Sequence, residues 1–119
     1  MYKLIILIET PEDSVEFERR WPEFLAAAEQ MPGLLMEATS RVDRVLHGDV
    51  HAQMIHELFF DSLKLAAEAL GSTEGQAAGQ VLQEITGGKV SLFLADQTQD
   101  QLSNIRRHRV PRGDNPPGD

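Results

Sequence analysis

Hydrophobic and polar positions change their spacing several times along this chain, and the changes mark the elements. Leu4, Ile5, Ile6, Leu7 and Ile8 form an unbroken apolar run, the pattern of a strand covered on both faces. Thr10-Pro11 ends it and opens a helix, with Thr10 as cap, Pro11 at the first helical position and Asp13 as early negative charge. Phe17, Trp21, Phe24, Leu25 and Ala28 then recur at helical spacing and predict one packed face. Pro22 lies inside that stripe, so a kink or break beside Trp21 is expected, opening a mouth between helix and sheet. After Met31-Pro32-Gly33, a long second strand is predicted over Leu34 to Leu46. A turn with Gly48 follows, then a third strand over Ala52 to Phe60. Asp61 is expected to cap a short helix ending at Gly71, and Thr73 to open another with Gln76 as its capping-box partner. Ala77, Ala78, Val81, Leu82 and Ile85 supply the buried stripe of this last helix. Gly87-Gly88 stops it, and Val90 to Ala95 is the fourth strand.

Strand, helix, strand, strand, helix, strand is the split βαβ order. It predicts an α+β, ferredoxin-like βαββαβ domain, with a four-stranded antiparallel sheet and helices on one face. Residues 1–97 form the expected domain and 98–119 a C-terminal tail, partly disordered or contacting a partner. The last twenty residues carry Arg106, Arg107, Arg109 and Arg112 among Pro, Gly and Asp.

Parity along the strands leaves Ile5, Leu7, Ile55, Phe59 and Phe93 on the sheet face that helices do not cover. Such a face calls for cover, from a two-fold homodimer with the sheets face to face or, as the alternative, from the tail of the same chain. Lys3, Glu9, Glu57, Ser91 and Ala95 share that side. Glu37, Thr39, Arg41 and Asp43 are expected to join them from the second strand.

Composition narrows the function classes. The chain has 119 residues, 41% apolar and 25% charged, enough for one core. Its net charge of −8 repels phosphate backbones, so nucleic acid is a poor partner. No apolar run approaches membrane-spanning length. Without cysteine, disulfides and thiolate sites are excluded. The Leu4–Ile8 run has no charged segment ahead of it and reads as a strand, which fits a cytoplasmic protein. No paired histidines share a helical face and no glycine loop matches a phosphate cradle, so neither metal, haem nor flavin is expected.

Interior-facing polar side chains are few, and each must be satisfied or used. Glu57 stands mid-strand among apolar neighbours. It is either a salt-bridge partner of Lys3 or Arg41, or a pocket carboxylate acting as general base with its pKa raised by desolvation. His56 points to the helix side with Met54, Leu58 and Phe60, as a packed core histidine or as an acid–base group. Tyr2, Trp21 and Phe59 are the expected apolar walls of a ligand site, with Lys3 and Arg41 as polar contacts. Trp21 also fits a core role on its helix stripe. His47 and His51 flank the turn as surface histidines.

Four pieces in order, Phe17-x-x-x-Trp21, Met31-Pro32-Gly33-Leu34, Glu57-Leu58-Phe59-Phe60-Asp61-Ser62-Leu63 and Ser72-Thr73-Glu74-Gly75-Gln76-Ala77-Ala78, resemble the EthD-like family. It is named for ethyl tert-butyl ether degradation and belongs to the dimeric α+β barrel superfamily. The resemblance spans roughly residues 1–97. It implies a homodimer with a ligand-sized cavity between each sheet and its helices or partner. It further implies binding or conversion of a small apolar molecule, aromatic or polyketide-like. Cofactor-free oxygenase, cyclase and isomerase chemistry all occur in the superfamily. The alternatives are a non-catalytic ligand-binding or accessory protein of a degradation pathway, and a purely structural dimer. Leu25 stands where the family usually carries a histidine, so chemistry that needs that imidazole must here use another group.

Overall fold

A computed structural model describes residues 1–103. The elements are β1 (Tyr2–Glu9), α1 (Ser14–Ala28), β2 (Met36–Arg41), β3 (Ala52–Phe60), α2 (Leu63–Gly71), α3 (Thr73–Thr86) and β4 (Val90–Asp96). The strands pair antiparallel in the order β2-β3-β1-β4, and the fold is ferredoxin-like α+β. Arg106, Arg107, Arg109 and Arg112 of the expected tail lie outside the described residues.

The core cluster sits on one side of the sheet, while Phe59, also buried, lies on the other. Leu4, Ile6 and Ile8 of β1 and Met54, Leu58 and Phe60 of β3 pack against Phe17, Trp21 and Phe24 of α1 and Ala78, Leu82 and Ile85 of α3. Arg20 ties the two helices together, donating to Glu23 on its own helix and to Glu84 on α3.

The helix boundaries correct the sequence reading at three caps. Asp13, not Thr10, caps α1, its Oδ1 accepting the Glu16 N–H at 3.0 Å. Ser62, not Asp61, caps α2. Ser72 precedes α3 and accepts the Gly75 N–H, while the Gln76 amide donates to the Gly71 carbonyl instead of closing a box with Thr73. In each case the hydroxyl or carboxylate three residues ahead of a free N–H takes the capping role.

Pro22 does not split α1, which runs unbroken from Ser14 to Ala28. The proline is exposed, as is Glu18 four residues earlier, so the carbonyl that loses its donor can be hydrated. The expected mouth beside Trp21 is absent and the indole is buried.

The second strand is also shorter than expected. Past Arg41 only the Val42 N–H still reaches β3, at the Gln53 carbonyl. The chain then leaves the sheet through a solvent-exposed loop, with Gly48 at φ 99°.

The uncovered sheet face carries Lys3, Ile5, Leu7, Ile55, Glu57, Phe59, Ser91, Phe93 and Ala95, as the registers Ile5↔Glu57 and Ile5↔Phe93 require. From β2 it receives Met36, Ala38 and Ser40, because Ala38 pairs with Glu57. Glu37, Thr39 and Arg41 therefore lie on the helix side, opposite to the expectation. Met36 and Phe93 remain 53% and 45% exposed on this face.

Candidate functional site

The register that moved Glu37 and Thr39 builds a polar site on the helix side of β2 and β3. Thr39 is the direct partner of His56 across the two strands. The Thr39 hydroxyl bonds His56 Nδ1 at 2.8 Å. Glu37 Oε1 lies 2.9 Å from Nε2. The imidazole itself is completely buried, although Glu37 keeps 22% of its side chain in water. Trp21 meets the ring edge-on at 5.3 Å and Phe24 at 5.7 Å, so α1 roofs it with two aromatic rings.

Burial sets the protonation of this pair. Desolvation pushes His56 down to about 4, against a smaller opposing pull from the Glu57 charge. Desolvation also pushes Glu37 up to about 7, helped by the Glu29 carboxyl beside it at the end of α1. Both groups favour their neutral forms for the same reason: charge loses its hydration there. Two hydrogen-bond arrangements satisfy the ring, and they differ by one proton. With Nε2–H donating to an ionised Glu37, Nδ1 accepts the Thr39 O–H. With Glu37 protonated, its O–H donates to Nε2 and Nδ1–H donates to the Thr39 oxygen. Passing from the first to the second takes up one proton from water at Glu37 and switches the ring tautomer, and the second form has no buried net charge.

The other sequence candidates fall apart into two groups. On the uncovered sheet face, Lys3 Nζ donates to Glu57 at 2.5 Å, each side chain 19% exposed, and the ammonium rests 5.4 Å over the Phe59 ring. The Glu57 carboxylate is thus committed to a salt bridge. Arg41 takes no part in that pair; it reaches Glu18 of α1 at 3.5 Å. Tyr2 is on the helix side but at the far end of β1, paired with Phe60 and Asp96. It lies about 13 Å along the strand from the residue opposite His56, at about 3.3 Å per residue. Tyr2, Trp21 and Phe59 therefore do not wall one cavity. His47 and His51 are exposed, and among the described residues no three side chains are grouped to hold a metal ion.

Glu37, Thr39 and Glu29 are the residues that sequence reasoning missed. A polar residue at alternate positions of an edge strand opposite a core histidine was the available signal. The register that would have used it depends on the loop at 42–51.

Two recesses bear on the site. One, of about 210 Å³, lies between the start of α1 and the end of α3, with Glu12, Asp13, Glu16 and Glu84 around it; it is a solvated acidic surface remote from His56. The other, of about 40 Å³, is apolar and lies under α3, walled by Leu4, Ile6, Leu58, Phe24, Leu82 and Leu92 among others.

An EthD family protein from Bacillus halodurans C-125 superposes with a TM-score of 0.75 and 24% identity, over 82% of this chain and 99% of that one. The chain has the fold of an EthD-family protein. Other structures share this EthD-like architecture at lower identity. SnoaB, a cofactor-independent oxygenase from Streptomyces nogalater, matches with TM-score 0.62 and 13% identity over 85% of this chain and 96% of that one. A dimeric ferredoxin-like protein of unknown function from Bacteroides fragilis matches with TM-score 0.58 and 16% identity, over 81% and 95%. In sequence, the chain is 28% identical over 100 residues to an uncharacterised 11.0 kDa protein of Rhodococcus erythropolis encoded in the thcB-thcC intergenic region. That match covers 82% of this chain and 97% of the relative. No protein-family model matches.

Proposed function

We propose that this EthD-like chain works as a homodimer joined through its sheet faces and binds a small apolar molecule, aromatic or polyketide-like, beneath its helices. The His56–Glu37 pair exchanges a proton with a hydroxyl or an acidic C–H of that molecule. The observation that carries this reading is His56: a wholly buried imidazole, hydrogen-bonded through both nitrogens, roofed by aromatic rings, and linked to water through one carboxyl. Cofactor-free oxygenation, cyclisation and isomerisation of such molecules share a first step, removal of a proton that leaves its electron pair on the substrate. Glu37, once ionised as the pH passes about 7, supplies the base for that step. The likeness to a cofactor-independent oxygenase supports the same reading, and the dimeric relatives support the assembly. Met36, Phe93, Ile5 and Ile55 give the sheet face enough apolar surface to ask for a second copy.

A binding protein without turnover is the second reading. It is favoured by the completeness of the His56 hydrogen bonds, since a satisfied ring can serve as a fixed polar contact.

Trp21 is the only tryptophan and touches His56, so its fluorescence reports the site. Titration with 4-nitrophenol, an aromatic whose ionisation shows in its absorbance, should quench Trp21 saturably. At pH 7, where Glu37 begins to ionise, the bound ligand should show a larger phenolate fraction than the free ligand at the same pH in the wild type and lose most of that excess in Glu37→Gln. Binding with unchanged ligand ionisation in both proteins supports the binding-only reading. Failure to quench Trp21 at millimolar ligand overturns both.

A further inference from the structure

We propose that the apolar pocket under α3 is the outer half of the ligand site, and that Phe24 is the gate between it and His56. The pocket is entered between Gly79 and Leu92 and takes a compact apolar molecule of about one aromatic ring. This deepens the reading above and rests on it for the role of His56.

One ring has two sides in this structure. Phe24 lines the pocket together with Leu4, Ile6 and Leu58, and it also meets the Trp21 ring at 5.1 Å and the His56 ring at 5.7 Å. The pocket and the imidazole are therefore neighbours separated by a single side chain. As it stands, the pocket holds about 40 Å³, too little for an aromatic ring. A phenylalanine that swings aside would add its own volume to the pocket and expose the imidazole in one movement. The walls are apolar, so the space stays dry until an apolar guest fills it. The polar end at His56 then selects guests with one hydrogen-bonding group at the leading edge.

Gly79 gives the way in. It stands in the interior of α3, where glycine is unfavourable relative to alanine. No packing need explains it, because a Cβ added there would meet nothing within 4 Å. Gly75, one turn earlier, differs: a Cβ there would run into the Ala69 carbonyl, so its smallness serves the α2–α3 crossing. Opposite Gly79 across the pocket is Leu92, on the helix side of β4 by its pairing with Ile6. It is 51% exposed because no helix covers that edge. A bare backbone facing an exposed leucine leaves an apolar slot.

Benzene tests the proposal without needing the acid–base chemistry, since it has no proton to give. It is titrated into the full-length protein while NMR follows the Met31 and Leu82 methyl groups and the His56 ring. In the wild type, saturable shifts are expected at Met31 and Leu82 and also at the His56 ring, because Phe24 must swing aside to admit the guest. Gly79→Leu fills the slot and should weaken binding at least tenfold. Phe24→Leu shortens the gate and should tighten binding at least threefold. No binding to the wild type, or an affinity that Gly79→Leu leaves unchanged, overturns the proposal, and so does a wild-type His56 ring that bound benzene leaves unshifted. Should Phe24→Leu fail to fold, the Gly79→Leu result decides alone, because that position is solvent-exposed. If benzene follows this pattern while 4-nitrophenol exchanges no proton, the acid–base reading fails and the gate stands. If 4-nitrophenol is ionised on binding and benzene ignores both substitutions, the gate fails and the acid–base reading stands.

Discussion

Glu37→Gln should make the stability of this protein depend on pH where the wild type barely does. Between pH 4.5 and 6.5 the unfolded chain carries one proton on this pair: His56 is charged and Glu37 ionised. The folded chain also carries one, because His56 is held neutral down to about 4 and Glu37 stays protonated up to about 7. Folding moves the proton from ring to carboxyl and takes up none, so the pair contributes no slope. Taken singly, the two groups pull in opposite directions. The depressed His56 contributes stability that is fully present above pH 6.5 and is lost as pH falls towards 4. The raised Glu37 contributes stability that is present below pH 4.5 and is lost as pH rises through 7. Each pKa unit corresponds to 1.36 kcal/mol, so two units of pH give about 2.7 kcal/mol per group. The Glu37 share is smaller, roughly 2 kcal/mol, because its carboxyl keeps contact with water. Urea unfolding at pH 4.5, 5.5 and 6.5, read through Trp21 fluorescence, gives the slopes. Glu37→Gln minus wild type should gain about 2 kcal/mol from pH 4.5 to 6.5, and His56→Gln minus wild type should lose about 2–3 kcal/mol over the same range. Differences flat within about 0.5 kcal/mol in both variants would refute the shared-proton argument.

Glu57→Gln keeps the shape of the sheet face but leaves the Lys3 ammonium over Phe59 without its counter-ion. In an isolated chain the lysine can turn to water at a cost of about 1 kcal/mol, whereas between two sheets it cannot and the cost rises to about 3–5 kcal/mol. Thermal unfolding across a hundredfold range of protein concentration separates the two, and the sheet-to-sheet dimer predicts the larger value. The paired substitution of Lys3→Met with Glu57→Leu should restore most of the loss. Gly79→Ala should stabilise α3 by about 1 kcal/mol. Gly75→Ala should destabilise by more than that gain, because its Cβ meets the Ala69 carbonyl; denaturant midpoints of the two variants moving the same way would contradict the packing described.

Much of the fold was legible because strand and helix periods differ. β3 could be bounded at both ends from its apolar run and flanking turn residues, and the opposed faces of β1, β3 and β4 followed from parity. Parity failed on β2. Its alternate residues, Met36 and Ala38 against Glu37 and Thr39, look like core against surface, and an edge strand inverts that rule. Where the helix layer ends, its side of the strand is wet, and the apolar residues face the uncovered sheet. The candidate site inherited this error. His56 was visible as a core histidine, but its partners sat on the strand whose facing was misread. Glu57 looked equally promising until Lys3, two residues from the open end of β1, closed on it.

The ring nitrogens of His56 test the account most directly. Their ¹⁵N shifts at pH 5.5, measured with and without saturating 4-nitrophenol, report both charge and hydrogen bonding. The account predicts a neutral imidazole in the free protein, at a pH where an ordinary histidine is charged, and a shift of at least one ring nitrogen when the ligand binds. An imidazolium signal in the free protein, or ring nitrogens that ignore bound ligand, would contradict it.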